Sequence, residues 1–211
     1  KALQLLHHRQ FHPWEGGEGK VSGQYLYALI QSARKNIEDK NFDVAIELLN
    51  TAKAGSYPHN LGEGKLYGAQ ENDIYYWLGV AYDGGGSAEK AKEYFDKASI
   101  GLDELSAAVY YNDQQPDKFF YQAMAWKKLG KAGKANDMFN KLIQYADAHI
   151  NDTIKIDYFA VSLPDLLIFD ADLDERNKAH CLYLKGLGCL GLDNINDAKK
   201  YFSEVLSIDN N

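Results

Sequence analysis

Residues 75–82 read Tyr-Tyr-Trp-Leu-Gly-Val-Ala-Tyr, residues 84–86 are three glycines, and residues 91–98 read Ala-Lys-Glu-Tyr-Phe-Asp-Lys-Ala. Two apolar segments on either side of a glycine run are typical of two helices joined by a tight turn. Gly79 and Ala91 are small enough to stand where two antiparallel helices touch, and the aromatic side chains fill the space around that contact. The stretch therefore predicts a helix pair.

The spacing between a small residue and an alanine recurs four times along the chain. In each copy, the small residue of the first helix precedes the alanine of the second helix by twelve positions. The pairs are Ala33 with Ala45, Gly79 with Ala91, Ala123 with Ala135, and Gly186 with Ala198. Because stacked pairs of one kind bury a continuous core between neighbours, we predict an array of repeats.

Residues 75–98 resemble the tetratricopeptide pattern position by position. The resemblance implies an all-α fold, a tetratricopeptide-like α-α superhelix (solenoid) of about four irregular helix pairs with inserted loops. We expect the repeats at approximately residues 22–56, 72–102, 117–147 and 174–208, within a single helical-repeat domain over residues 1–211. Because residue 1 is Lys and no Met precedes it, we expect the chain to be a fragment of a longer protein.

The repeats are unevenly spaced. The second-helix alanines follow one another at intervals of 46, 44 and 63 residues, although a tetratricopeptide unit needs only about 34 residues. Long connections in a compact array are more often functional or locally structured than idle. Two of the connections are near copies, because residues 17–23 read Gly-Glu-Gly-Lys-Val-Ser-Gly and residues 62–68 read Gly-Glu-Gly-Lys-Leu-Tyr-Gly.

Equivalent connections of stacked repeats lie along one edge of a solenoid, so we expect them to form a binding rim. The candidate binding residues are Trp14, Glu15, Glu18, Lys20, Glu63, Lys65, Tyr110, Tyr111, Asp113, Asp117, Asp157 and Tyr158. Carboxylates among aromatic rings suit either sugar hydroxyls or a peptide with a basic group. The alternative is that these loops pack on one another, with Glu–Lys pairs bridging neighbouring copies.

Local signals predict where some helices begin. Asn72 or Asp73 is expected to cap the helix that carries Tyr75. Asp172 or Asp174 is expected to cap the helix of the fourth repeat.

Composition argues against several kinds of partner. The net charge of −7, from 30 acidic and 23 basic side chains, repels a phosphate backbone, so we expect no nucleic-acid partner. No apolar run approaches the roughly 20 residues that cross a bilayer, so we expect no membrane partner. Cys181 and Cys189 are expected to be buried thiols, which fits the reducing cytoplasm that we expect as the location. No metal ligand set is predicted.

Two glycine-rich motifs do not support a nucleotide site. Residues 186–191 have the glycine spacing of a dinucleotide-binding loop but lie within a predicted helix that no strand precedes. The Gly-Glu-Gly-Lys copies lack the first glycine and the Ser or Thr of a phosphate-binding loop. We therefore assign no catalytic residues and no cofactor to the chain.

Four segments resemble the helical region of a family of bacterial tetratricopeptide proteins of uncharacterised function. They are residues 12–20 (His-Pro-Trp-Glu-Gly-Gly-Glu-Gly-Lys), 60–65 (Asn-Leu-Gly-Glu-Gly-Lys), 110–114 (Tyr-Tyr-Asn-Asp-Gln) and 157–165 (Asp-Tyr-Phe-Ala-Val-Ser-Leu-Pro-Asp). The resemblance covers residues 12–211 and implies an N-terminal β-sandwich domain ahead of this region. A β-sandwich followed by helices is also a common layout of glycoside hydrolases.

These observations favour an interaction module, whose concave face binds a peptide, a partner protein or its own N-terminal domain. Basic residues on the first helices usually mark a groove for an acidic peptide tail. Lys127 and Lys128 are the only obvious cluster of this kind, so a groove for an acidic tail is not favoured.

The alternative is the helical part of a carbohydrate-binding or glycoside-hydrolase-like protein, in which the rim contributes to a sugar site. Hydrolysis needs two carboxyl groups about 5 to 10 Å apart, and we do not expect this chain to be an enzyme alone. A third possibility is a spacer or dimerisation unit.

Overall fold

The computed structural model describes residues 1–13, 17–106, 113–155 and 172–209. Within these ranges there are nine α-helices, a short 3-10 helix at His59–Leu61 and no β-strand, so the prediction of an all-α fold is confirmed. None of the described helices has both the length and the apolar character of a membrane span. The helices are α1 (Ala2–His8), α2 (Lys20–Glu38), α3 (Phe42–Ala54), α4 (Asn72–Gly84), α5 (Ala88–Ala98), α6 (Pro116–Lys128), α7 (Ala132–His149), α8 (Leu173–Gly191) and α9 (Ile195–Ile208).

Eight of these helices form four consecutive pairs, and three residues join the helices of each pair. The middle residue of each turn has a left-handed backbone. These residues are Lys40, Gly86, Gly130 and Asp193, with φ of 62°, 80°, 74° and 61°. Each lies five residues before the second-helix alanine, so the four turns share one register. A Cβ atom is unfavourable in this conformation, which explains glycine at two of the positions.

The small residues of the repeat stand where the two helices of a pair touch. Gly79 on α4 faces the ring of Phe95 on α5, and a Cβ at residue 79 would lie 2.5 Å from that ring. Gly186 on α8 faces the ring of Phe202 on α9 in the same way. The alanines at the remaining contact positions are buried. The twelve-residue spacing thus marks the closest approach of the helices within a pair.

The pairs stack into a solenoid. The first helices (α2, α4, α6 and α8) pack against one another in succession, and each second helix (α3, α5 and α7) packs against the first helix of the next pair. Tyr76, Phe95 and Ala125 form a cluster that connects the core around α2 to α4 with the core around α6 to α8. The first helices therefore share one face of the array, and the predicted solenoid is confirmed.

Amide side chains fasten the connections between repeats. Asn72 Nδ2 donates to the carbonyl oxygens of Ala98 and Ile100, at 2.8 and 2.7 Å, and so ties the end of α5 to the start of α4. Ahead of α6, the nearly fully buried Gln114 donates through Nε2 to Oε1 of Gln122 at 2.9 Å. Because a buried amide is costly without partners, these bonds hold the connections in defined positions.

The helix-capping predictions had mixed outcomes. The expectation for α4 is wrong, because Glu71 occupies its N-cap position and Asn72 and Asp73 lie inside the helix. At α8, Asp172 is the cap, and its carboxylate accepts a hydrogen bond from the Glu175 amide at 3.0 Å. The side chain of Asp73 is therefore available for a contact between repeats.

Candidate functional site

The first helices present an equivalent stripe of residues to one groove. The stripe lies 18, 15, 14 and 11 positions before each second-helix alanine, which is the spacing of a single helix face. Most residues at these positions line the groove. They are Tyr27, Ile30, Gln31 and Arg34 on α2, Asp73, Tyr76 and Trp77 on α4, Asp117, Phe120, Tyr121 and Met124 on α6, and Tyr183 and Leu187 on α8.

The groove has a volume of about 630 Å³, and all four first helices contribute to its lining. Aromatic and aliphatic side chains form most of its surface, and a small number of charged groups lie among them. Binding sites in proteins commonly have this size and this mixture of apolar walls and few polar groups. The groove is therefore the candidate functional site.

A charged cluster of Asp73, Asp117 and Lys118 lies where α4 and α6 meet; we call it the Lys118 cluster. The Lys118 ammonium is 2.6 Å from the Asp73 carboxylate and 3.4 Å from the Asp117 carboxylate. The side chains of Lys118 and Asp73 are only 19% and 10% exposed, whereas Asp117 is 34% exposed. Asp117 is thus the member that is most open to the groove.

Burial and charge have different effects on the members of the Lys118 cluster. Burial disfavours the ammonium of Lys118, but Asp73 and Asp117 outweigh this effect and raise its pKa above the usual value. Burial raises the pKa of Asp117, and the Asp73 carboxylate adds to this while Lys118 opposes it. Two carboxylates share one ammonium, so the cluster carries a surplus of negative charge when all three groups are ionised.

One buried polar atom of the groove residues lacks a hydrogen-bond partner. Asp73 Oδ1 makes no hydrogen bond to any residue that the structure describes. Burial raises the pKa of Tyr121, and a hydrogen bond from the Trp77 indole opposes this effect. Buried polar groups in native proteins are nearly always hydrogen-bonded, so Asp73 Oδ1 is an acceptor available to a ligand of the groove.

Arg34 is a cation of the groove without a carboxylate partner among the described residues. Its guanidinium lies over the Trp77 ring, 4.8 Å from the ring centroid, and its Nη1 donates to Gln31 Oε1 at 3.3 Å. A cation over the face of an indole is attracted by the negative charge of that face. This arrangement holds the guanidinium against the groove wall.

A second charged contact lies at the edge of the groove. The ammonium of Lys65 is 2.7 Å from the Glu71 carboxylate, which also accepts a hydrogen bond from the Tyr75 hydroxyl at 2.9 Å. Burial and then this hydrogen bond raise the pKa of Tyr75 to about 12. The Lys65 charge is therefore neutralised within its own segment.

Glu63 of the second Gly-Glu-Gly-Lys copy contacts the first copy. Its carboxylate accepts hydrogen bonds from the amides of Gly19 and Ser22, at 2.9 and 2.7 Å, at the start of α2. An acidic group at a helix N-terminus satisfies free amides and interacts favourably with the helix dipole. The contact packs one inserted loop on the other. It differs from the Glu–Lys pairs of the alternative interpretation, because the partner of the carboxylate is the backbone and not a lysine.

The remaining rim candidates differ in their surroundings where the structure describes them. Glu18 is half-buried, and its Oε2 has no hydrogen-bond partner among the described residues. Lys20 is exposed at the start of α2, and Asp113 is half-buried ahead of α6. Only Lys65 and Asp117 of the described candidates line the groove. The others, Trp14, Glu15, Tyr110, Tyr111, Asp157 and Tyr158, lie outside the described residues.

The basic pair on α6 does not line the groove. Lys127 lies 2.8 Å from Asp193, and Lys128 lies 3.6 Å from Asp83. The basic residues of the groove are instead Arg34, Lys65 and Lys118. Lys127 and Lys128 stand out in the sequence because they are adjacent, whereas the groove collects single residues from separate repeats.

Neither cysteine lines the groove. Among the described residues, no three His, Cys, Asp or Glu side chains come together in a group that could hold a metal ion. Cys181 and Cys189 are buried free thiols, and burial raises the pKa of Cys181 to about 11. A thiol with so high a pKa is a poor nucleophile.

Comparison with known families agrees with the stacked helix pairs. The tetratricopeptide-repeat family model matches residues 73–99, which include most of α4 and all of α5, and residues 179–211, which include most of α8 and all of α9. The array is tetratricopeptide-like. The two matched repeats lie on either side of the α6 and α7 pair, which has the same turn and the same small-residue contacts.

Proposed function

We propose that this tetratricopeptide-like array is a protein-interaction module whose groove binds an extended peptide segment. Tetratricopeptide repeats generally mediate protein–protein interactions, usually through the face that their stacked helices share. The observation that carries the proposal is the groove itself, to which all four first helices contribute aromatic rings and in which the Asp73 carboxylate has an unsatisfied oxygen. The segment belongs to a partner protein or to another part of the same polypeptide.

The lining of the groove suits a peptide. Ile30, Ile74 and Leu187 offer apolar contacts for side chains, and the hydroxyl groups of Tyr121 and Tyr183 offer hydrogen bonds. An extended peptide carries a backbone amide and a carbonyl at each residue, and both need partners once they leave water. Tyrosine hydroxyls are protonated at neutral pH and able to donate, and burial raises the pKa values of both residues further.

A sugar site is less well supported by the same groove. Asp73 and Asp117 both contact Lys118, so their carboxylate oxygens are at most about 6 Å apart, within the range of a glycosidase pair. The ammonium lies between them and pairs with both, however, which leaves neither carboxylate free to exchange a proton with a substrate. We therefore favour peptide binding over hydrolysis.

Blocking the groove with a bulky side chain tests the proposal. Gly23 on α2 lines the groove, and Gly133 on α7 lies on the exposed surface outside it. A Cβ at either position meets nothing within 4 Å, so both sites accept a side chain without a clash at the backbone. Short random peptides displayed on phage are selected against the unmodified chain, and the best binder is measured by fluorescence anisotropy.

We expect Gly23→Trp to weaken peptide binding by about tenfold or more, and Gly133→Trp to leave it within about twofold. Melting curves of both variants check that the fold is intact. Equal binding to the two variants, or no selectable peptide at all, contradicts the proposal.

A further inference from the structure

We propose that the groove contains a subsite for one cationic side chain of the bound peptide at Asp117, to which the groove residues Tyr121 and Tyr183 contribute aromatic faces. This inference rests on the proposed function, because it concerns a peptide in the same groove. It assigns a chemical class, an arginine or lysine side chain, to one position of that peptide.

The first observation is the surplus of negative charge in the Lys118 cluster. Asp73 approaches the ammonium of Lys118 to 2.6 Å and neutralises it, whereas Asp117 stays at 3.4 Å. Asp117 is also the most exposed member of the cluster, so a ligand reaches it first. A second cation beside Asp117 would give the two carboxylates two positive partners and remove the imbalance.

The second observation is an acceptor with no donor. The Asp73 side chain is nine-tenths buried, and its Oδ1 has no hydrogen bond to any described residue. Lys118 has three N–H donors and pairs with the other oxygen of Asp73, yet it makes no hydrogen bond to Oδ1. A guanidinium or ammonium that binds Asp117 brings further N–H donors to the cluster, and one of them can serve this acceptor.

The third observation is the set of aromatic rings around Asp117. Tyr121 lies one helical turn from Asp117 on α6, Tyr183 lies on the neighbouring helix α8, and all three residues line the groove. Aromatic faces beside a carboxylate attract a cation from several directions. The chain already shows one such contact in this groove, where the Arg34 guanidinium lies over the Trp77 ring.

Arg34 limits the inference to a single position. It is a cation of the groove without a carboxylate partner among the described residues, and it lies on the Trp77 side. The groove as a whole is therefore close to neutral, so we infer no general preference for basic peptides. The preference belongs to the residue of the peptide that reaches Asp117.

The test compares arginine with citrulline, which keeps the shape of the side chain and removes its charge. The probes are fluorescein-labelled versions of the peptide selected on the groove, with each residue replaced in turn by arginine, lysine or citrulline. Their affinities are measured for the unmodified chain, for Asp117→Asn and for the control Asp96→Asn, which alters an exposed ion pair with Lys92 on α5. Asp117→Asn leaves Lys118 paired with Asp73, so no buried charge loses its only partner.

At one peptide position, we expect arginine or lysine to bind about tenfold more tightly than citrulline. Asp117→Asn should bring the ratio of the affinities for the cationic and the citrulline peptides close to one, and Asp96→Asn should preserve that ratio. If Asp117→Asn fails to fold, the ratio for the unmodified chain still decides whether a cationic subsite exists.

Three outcomes overturn the inference. A ratio near one at every peptide position removes the subsite, and the proposed function survives if Gly23→Trp still blocks binding. A ratio that Asp117→Asn leaves unchanged places the subsite elsewhere. Binding of neutral oligosaccharides in place of any peptide overturns both the subsite and the proposed function.

Discussion

Gly130 and Gly133 lie three residues apart and differ in backbone conformation. Gly130 has φ of 74° in the turn before α7, and Gly133 lies in the first turn of that helix. A Cβ at either residue meets no atom within 4 Å, so only the backbone distinguishes them. We predict that Gly130→Ala lowers the free energy of unfolding by about 1 kcal/mol, whereas Gly133→Ala raises it by about 0.5 kcal/mol. Urea denaturation measures both, and the same sign for the two variants would contradict this account of the turn.

The Lys118 cluster gives a second residue-scale prediction. Lys118→Met leaves Asp73 buried without its cation, so we predict a loss of about 3 kcal/mol of stability. Adding Asp73→Asn should recover part of that loss, because it removes the stranded charge. Lys92→Met at an exposed ion pair is the control and should change stability by less than about 0.5 kcal/mol. An equal loss of stability in Lys118→Met and in the double variant with Asp73→Asn would contradict this account, because the unpaired Asp73 charge would then not be the cause of the loss.

The sequence contained a signal for the groove at the residue scale. Asp73 and Asp117 both lie eighteen residues before a second-helix alanine, and Tyr27 occupies the same position in the first repeat. That shared register places all three on the groove face of their helices. The ion pair itself was not predictable, because Asp73 at the start of a helix also has the features of a capping residue. Only the approach of α6 to α4 decides between these roles.

At the scale of elements, Glu63 connects two inserted segments. Its carboxylate binds two free amides at the start of α2, so we predict that Glu63→Ala lowers stability by about 1 kcal/mol. Glu47→Ala on the exposed face of α3 is the matched control, and it should change stability by less than about 0.5 kcal/mol. Chemical denaturation compares the two. A Glu63 variant as stable as the control would mean that the contact between the copies adds nothing to the fold.

The helices could be predicted from the sequence more fully than the connections. The twelve-residue spacing to the second-helix alanine marked Gly79 and Gly186 as contact positions, because that spacing reflects helix geometry. In the structure these glycines face Phe95 and Phe202. The connections depend instead on single amides such as Asn72 and Gln114, which bind a carbonyl 26 residues away and a side chain eight residues away. No local pattern marks such a partner. The rim expected from the two Gly-Glu-Gly-Lys copies stays a prediction, and the bond from Glu63 to the backbone of the other copy was not predictable for the same reason.

At the scale of the whole molecule, buried tyrosines predict a loss of stability in alkali. Burial is the largest cause that raises the pKa values of Tyr57, Tyr75 and Tyr76 from 10.0 to about 12. Between these values the unfolded chain has released protons that the folded chain retains, so the free energy of unfolding falls as the pH rises. The buried ammonium of Lys118 acts in the same direction, because its pKa is raised in the folded state.

Urea midpoints measured across the alkaline range test this prediction. We expect a plateau below about pH 10 and a steady decline above it, with tyrosinate absorbance appearing as the chain unfolds. A midpoint that stays constant up to pH 12 would show that these hydroxyls titrate as they do in water.

The groove formed by the first helices is the central claim at this scale, and site-specific photocrosslinking tests it most directly. Benzoylphenylalanine is placed at Tyr27, which lines the groove and is 61% exposed, or at Tyr67, which lies outside it and is 96% exposed. The peptide selected on the unmodified chain is then irradiated with each variant, and adducts are counted by mass spectrometry. We predict adducts at residue 27 that excess unlabelled peptide suppresses, and few at residue 67. Adducts at residue 67 alone, or in equal amounts at both, would contradict the assignment of the groove as the binding site.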